Sequence, residues 1–185
     1  MKNAILPLLF VILLIFNASS FASDTSEPLV FSGIVNLHNQ TRAEKDQPPL
    51  EWSASLANYA QEWVDHLADT ENCKMVHRPD NQGERFQQFH GENLFWSSPI
   101  EYEDGTTDLE LFTPKDVVKA WTIEEDFYDY KTNQCQDGKV CGHYTQIVWH
   151  ETKQVGCALA VCGDESQLWA CNYSPRGNYI GEWPY

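Results

Sequence analysis

Four ionisable residues stand in contexts where their chemistry would count. His143 opens the run Gly142-His143-Tyr144-Thr145-Gln146-Ile147-Val148-Trp149, whose remainder reads as a buried strand. Glu92 follows Gly91 and precedes the apolar Leu94, Phe95 and Trp96. Glu124 comes seven residues after Val117 and three after Trp121, on one face of a predicted helix. Its carboxylate should therefore face the sheet rather than water, which is costly unless it is paired. His77 lies four residues after Cys73, so a disulfide there would fix its position. Two neutral imidazoles and two carboxylates suit Zn²⁺ or a similar divalent cation. A His–Glu pair could also act as a general base without metal. Each residue has a plainer reading as well: a hydrogen-bonded His at a strand end, a Glu at a helix edge, a Glu capping the helix or turn after it, and a loop His beside Arg78 and Pro79.

The elements that would position these residues emerge from periodicity. Phe31, Ile34, Val35, His38 and Arg42 share one helical face, and Pro48-Pro49 ends that segment. Ser53 is the expected cap of a second helix, with Leu56, Ala60, Trp63, Val64 and Leu67 as its stripe. Gly91 to Leu94 reads as a turn leading into a short helix, and the acidic stretch 98–111 as a surface loop. Thr113-Pro114-Lys115-Asp116 is a helix start, with Val117, Val118 and Trp121 turned inward. Strands are predicted over Tyr144 to Trp149, Val155 to Val161 and Leu168 to Tyr173, the last two joined as a hairpin through residues 163–166. Helices followed by strands give an α+β domain with a small antiparallel sheet. The segment after Pro175 is too rich in Pro and Gly for regular structure. Its Tyr179, Ile180, Trp183 and Tyr185 give it apolar surface with which to dock, against the second or third strand.

The chain has 185 residues and a formal net charge of −15. Residues 1–22 read as a signal peptide: Lys2, an apolar run from Ala4 to Phe16, and small residues at Ser20 and Ala22, with cleavage before Ser23. The run falls short of the ~20 residues a spanning helix needs, and no later stretch is apolar enough to cross a bilayer. Residues 23–185 then form one secreted domain, extracellular or, if the source is bacterial, periplasmic. The acidic balance argues against nucleic acid and anionic lipid surfaces as partners. Six Cys behind a leader imply three disulfides. Sequence alone leaves the pairing open. The layout favours Cys157 with Cys171 across the hairpin and Cys135 with Cys141 around a small loop, which leaves Cys73 with Cys162. No Ser or Cys nucleophile motif, His-Glu-x-x-His helix, phosphate loop or dinucleotide fingerprint is present.

The His143 run and Cys171-Asn172-Tyr173-Ser174-Pro175-Arg176-Gly177-Asn178-Tyr179 closely resemble the two signature motifs of the CAP superfamily: cysteine-rich secretory proteins, antigen 5 and pathogenesis-related protein 1. The resemblance extends from His38-Asn39-x-x-Arg42 to the end of the chain. It is strongest to the pathogenesis-related protein 1 type through Asn133-Gln134-Cys135, Val140-Cys141-Gly142-His143 and the terminal segment. It implies a CAP-type α-β-α sandwich, the same three disulfides, and a cleft carrying His77, His143, Glu92 and Glu124. The paired His would be the metal ligands; Glu92 and Glu124 would be catalytic only if the protein is an enzyme. His38 and Arg42 would be structural, and His90 a decoy. The resemblance further implies a secreted, monomeric binding protein in defence or extracellular interaction, with sterol or another lipid, or a protein, as partner. Phe127, Tyr128 and Tyr130 could line a lipid site or simply pack in the core. A metal-assisted protease is the competing expectation. The acidic insert 98–111 is longer than usual for this group. The sequons at Asn39 and Asn172 overlap the motifs, so roles within the fold are expected there rather than glycans.

Overall fold

The computed structural model describes residues 26–71, 73–80 and 86–185; the expected leader lies outside the described residues. The chain runs through a 3₁₀ turn at Leu29–Phe31, α1 (Ile34–Ala43), β1 (Glu51–Trp52), α2 (Ala54–Thr70), β2 (Gly91–Ser97), β3 (Ile100–Glu101) and β4 (Thr107–Asp108). Next come α3 (Pro114–Thr122), which continues as a 3₁₀ segment over Ile123–Phe127, then β5 (Tyr128–Asp129), β6 (Gln134–Cys135), α4 (Gly142–Ile147), β7 (Gln154–Val161) and β8 (Gln167–Ser174).

Local chemistry sets the helix starts. The Glu27 carboxylate accepts from the amides of Gly33 and Val35, both at 2.7 Å, and so serves the open N-terminus of α1. The Ser53 hydroxyl accepts from Leu56 N at the start of α2. Thr113 and Asp116 form a reciprocal capping box on α3, with Pro114 in the first turn.

The central sheet has the order β1-β7-β8-β2. β7 and β2 both run antiparallel to β8, and the two-residue β1 runs parallel to β7, so the sheet is mixed at one edge. Alternation along the strands builds two cores. Val155, Cys157, Trp169, Cys171 and Tyr173 face α1, α3 and α4, where they meet Ile34, Val118, Trp121, Tyr144 and Ile147. Ala158, Ala160, Leu168, Ala170 and Leu94 face the stripe of α2, including Ala60, Trp63, Val64 and Leu67. Every residue of β8 from Gln167 to Tyr173 is buried, as a strand covered on both faces requires. At Gly156 a Cβ would stand 2.3 Å from Ala57 N and 2.4 Å from Ser53 O, so only glycine lets the first turn of α2 lie this close to β7.

The three disulfides are Cys73–Cys162, Cys135–Cys141 and Cys157–Cys171, as the layout predicts. Cys157 and Cys171 are directly opposed in the β7–β8 register.

Four expectations are corrected. Gly91 to Ser97 is a strand, not a turn and helix, because it completes the sheet as a seven-residue antiparallel partner of β8. Tyr144 to Trp149 is not a strand: Gly142–Ile147 is helical, and its buried Tyr144 and Ile147, with Val148 just beyond, fall at i, i+3 and i+4. The 98–111 stretch contains the small β3–β4 hairpin. The C-terminal tail docks, but on α4 and the β5–β6 hairpin rather than on the sheet. Gly177 N donates to Gln146 Oε1 (3.0 Å), Asn178 bonds both Thr145 and Gly142, and His150 N donates to Pro184 O (2.7 Å). Trp183 Nε1 donates to Tyr130 O, while the Tyr185 ring stacks on Tyr130 with centroids 4.7 Å apart.

Candidate functional site

The four candidate residues are held as two His–Glu pairs. The first is set by α4 and the 3₁₀ segment after α3. His143 Nδ1 lies 2.6 Å from Glu124 Oε1, and Glu124 Oε2 accepts from the backbone amides of His143 (2.9 Å) and Tyr144 (3.2 Å). A carboxylate at the open N-terminus of a helix is stabilised by those amides. Glu124 is buried as predicted, but it meets the start of α4 rather than the sheet, and those bonds compensate its burial. The Trp121 ring stacks on His143 at 6.1 Å, and Trp121 Nε1 donates to Leu94 O, so α3 is tied both to the imidazole and to β2.

The second pair is set by β2 and the segment after Cys73. His77 Nδ1 lies 2.8 Å from Glu92 Oε1, which also accepts from Arg78 N at 3.0 Å. Asn172 on β8 donates to Gly91 O (3.0 Å) and reaches Glu92 Oε2 at 3.5 Å. The hydrogen bond that His77 donates to Glu92 raises the His77 pKa above its ordinary 6.5, against the opposing effect of partial burial. A cavity of about 200 Å³ opens here, lined by His77, Gln88, His90, Glu92, Arg176 and Asn178 among others.

Asn93, the residue after Glu92, links the two pairs. Its amide Nδ2 donates to His143 O (3.0 Å) and to the Tyr173 hydroxyl (3.1 Å). Tyr173 OH lies 2.8 Å from His38 Nε2, and His38 Nδ1 lies 2.8 Å from Ile34 O. A carbonyl can only accept, so Nδ1 carries the proton and Nε2 accepts from Tyr173. Burial holds His38 neutral, with its pKa lowered to about 4, and pushes the Tyr173 phenol well above its usual 10. A directed chain of hydrogen bonds therefore runs from β2 through β8 to α1. Arg42, one turn beyond His38, is fully buried and donates to the carbonyls of Pro48, Ile147, Trp149 and Thr152, at 2.7 to 3.1 Å. It fixes the C-terminal end of α4. Both residues have the structural roles expected of them.

Asn93, Tyr173 and Gln146 are site-building residues that sequence reasoning did not single out. Gln146 bridges Thr152 and Gly177, and its side chain packs on Gly91, where a Cβ would stand 2.1 Å from Oε1. The available signal was position: Asn93 and Gly91 flank Glu92, and Tyr173 lies within the second motif. His90 pairs with neither Glu; it stands edge-on to Tyr59 at 4.9 Å. The sequon residues serve the fold: Asn39 bonds Leu50 N and O, and Asn172 is fully buried.

Of the aromatic trio, Tyr128 packs near Tyr144 and lines a separate cavity of about 310 Å³ beneath the tail. Tyr130 is stacked on Tyr185, and Phe127 lies under the Lys139 ammonium at 4.5 Å.

An α-β-α sandwich with three disulfides and two carboxylate-backed imidazoles defines the class of protein. The family model described as the cysteine-rich secretory protein family, CAP, matches residues 35–173. The chain belongs to the CAP family. Among curated relatives, pathogenesis-related protein 1B of Nicotiana tabacum is 34% identical over 175 residues, covering 95% of this chain and 89% of the relative. Pathogenesis-related protein PR-1 of Medicago truncatula is 39% identical over 148 residues, covering 80% and 74%. Among solved structures, BmVAL-1 aligns with a TM-score of 0.64 at 25% identity, covering 86% of this chain and 83% of that one. NaASP2 with Zn²⁺ aligns with a TM-score of 0.60 at 21% identity, covering 88% and 87%.

Proposed function

We propose that the protein is an extracellular binding protein of the pathogenesis-related protein 1 type, whose His77 and His143 together offer a weak, exchangeable site for a divalent cation such as Zn²⁺. The observation that carries this reading is the shared geometry of the two pairs. In each, a carboxylate occupies Nδ1 and leaves Nε2 as the ring nitrogen free to bind. The donor set fits a metal only in that form. Among the described residues, no group of three or more His, Cys, Asp or Glu is arranged to hold a metal ion. A bound cation would therefore rest on two imidazoles and keep positions for water or ligand, and its chemistry there would be that of a Lewis acid. That a neighbour in fold was crystallised with Zn²⁺ agrees with the choice of ion.

Glu92 and Glu124 each accept hydrogen bonds from backbone amides as well as from an imidazole. That supports an orienting role over the proton transfer a metal-assisted hydrolase would ask of them. All six Cys are in disulfides, which fits an oxidising, extracellular setting. Sterol or another lipid is the proposed organic ligand, with the cavity beside Tyr128 as the place to look for it.

Titration calorimetry with Zn²⁺ on the oxidised protein tests the metal reading. Affinity should fall as pH drops through the His77 pKa, which its bond to Glu92 sets above 6.5, since a protonated imidazole cannot ligate. His77→Ala and His143→Ala should each weaken binding at least about tenfold while leaving the thermal midpoint of a folded domain. Unchanged affinity in both variants would sink it.

A further inference from the structure

The acidic insert is built as a platform. Its base is anchored at the return: Phe112 packs on Phe95 at 5.2 Å, and Gln167 on β8 donates to Glu110 O at 2.7 Å. Its tip is a closed turn. Tyr102 N donates to Thr106 O, Gly105 takes a φ of 82°, and Asp104 accepts from both the amide (3.0 Å) and the hydroxyl (2.6 Å) of Thr106. Those bonds lower the Asp104 pKa and keep it ionised.

Yet neither β3 nor β4 buries a residue. Ile100 and Tyr102 are two positions apart, so they share a face; they are 39% and 49% exposed. Trp96, just before the ribbon, is 44% exposed, and Leu111, just after it, 78%. A two-stranded ribbon with no covered face is marginal by itself, and covering its exposed apolar side chains would be favourable. Asp108, opposite Ile100 in the register, shares that face, while Glu101 and Glu103 alternate to the other face. With Asp104 and Glu110 they make the hairpin acidic throughout, and no Lys or Arg lies between residues 98 and 111. Among the described residues, none of these carboxylates is in an ion pair.

We propose that this hairpin is a docking surface for a basic polypeptide that lays an apolar side chain on Ile100 and Tyr102 and sets Lys or Arg against the flanking carboxylates. Charge complementarity selects the occupant. An anionic membrane or nucleic acid would be repelled, and a second copy of a chain of net charge −15 would bring the same sign to the contact.

The test is fluorescence anisotropy of two labelled synthetic peptides of equal length and charge, one alternating Lys with Leu, the other Lys with Ser. The Lys–Leu peptide should bind and weaken as salt rises. Ile100→Ser/Tyr102→Ser should weaken it at least about tenfold and abolish its advantage over the Lys–Ser peptide. Neutralising Glu101, Glu103, Asp108 and Glu110 should weaken both peptides at least about tenfold while keeping the Lys–Leu advantage, mainly through slower association. Neutralising the exposed Glu44, Asp65, Asp69 and Glu71 instead removes equal charge elsewhere and should change affinity less than about twofold. Equal losses in the two charge variants would reduce the effect to net charge and overturn the proposal. So would equal binding of the two peptides, or no binding at all. Sedimentation showing self-association that is lost in the Ile100/Tyr102 variant would assign the surface to a second copy and likewise overturn it.

Discussion

The two His–Glu pairs share a geometry at Nδ1 and differ in nearly everything that supports it. His143 and Glu124 have side chains 21% and 11% exposed, at the start of a helix whose amides hold the carboxylate and under the face of Trp121. His77 is 63% exposed on an irregular segment, although its partner Glu92, on a sheet strand, is only 3% exposed. In the first pair both members are positioned by packed elements. In the second the carboxylate is fixed, and the imidazole is brought to it by a loop anchored at Cys73. The same chemistry thus rests on a rigid half and a half whose order depends on local ties.

The largest test of this asymmetry removes the tie. Cys73–Cys162 spans 89 residues, the longest separation of the three disulfides. The chain-entropy model gives such a loop about 4–5 kcal/mol. Cys73→Ser/Cys162→Ser should lose that much in urea unfolding. In amide exchange of the folded variant, residues near His77 should open while those around His143 keep their protection. Uniform loss of protection around both pairs would remove the distinction.

A smaller effect should strike what the pairs share. His38 titrates at about 4 in the folded protein against 6.5 unfolded. Between those values the unfolded chain binds a proton that the folded chain refuses. Stability contributed by the neutral ring is therefore complete above pH 6.5 and falls as pH drops toward 4, by about 3 kcal/mol at most. Tyr173 and Asn93 lose their acceptor chain in the same window. Denaturation followed from pH 7 to 4 should show this fall, and His38→Gln should flatten it. An unchanged slope in the variant would place the acid sensitivity elsewhere.

The smallest effect concerns the loop pair alone. With its pKa raised by Glu92, His77 contributes stability below pH 6.5 that disappears as pH rises through the raised folded value. Its exposure makes that contribution slight. Imidazole NMR should give His77 a midpoint above 6.5, and Glu92→Gln should bring it back down. A midpoint that ignores the substitution would separate His77 from Glu92 in solution.

Much of the scaffold was legible because its signals are local or periodic. Ser53 and Thr113 announce α2 and α3, the stripe from Leu56 to Leu67 spaces itself at helical intervals, and the β7–β8 hairpin brackets a clear turn. The same periodicity put Glu124 on an inward face. β2 was not legible, since Gly91-Glu92-Asn93 is turn-like in composition and becomes a strand only because β8 offers an edge. α4 was misread because Ile147, Val148 and Trp149 favour strands, and six residues are too few for a helical stripe to stand out.

The sequence by itself determined the family, through motifs that single out His77, Glu92, Glu124 and His143, and it favoured, without fixing, the three disulfides that the structure shows. The resemblance also implied that His38 and Arg42 belong to the fold, and both are fully buried with hydrogen-bond partners. Only the tertiary structure decided how the four residues are grouped. Each Glu takes the His that a distant segment brings to it, and Asn93 spans the gap through hydrogen bonds to His143 and Tyr173. The tail likewise has apolar residues that require burial, but its place on α4 depends on the Gln146 and Trp149 surfaces that the folded chain presents. Burial can be read from one segment's pattern, whereas partner choice depends on which donors and acceptors folding leaves open nearby.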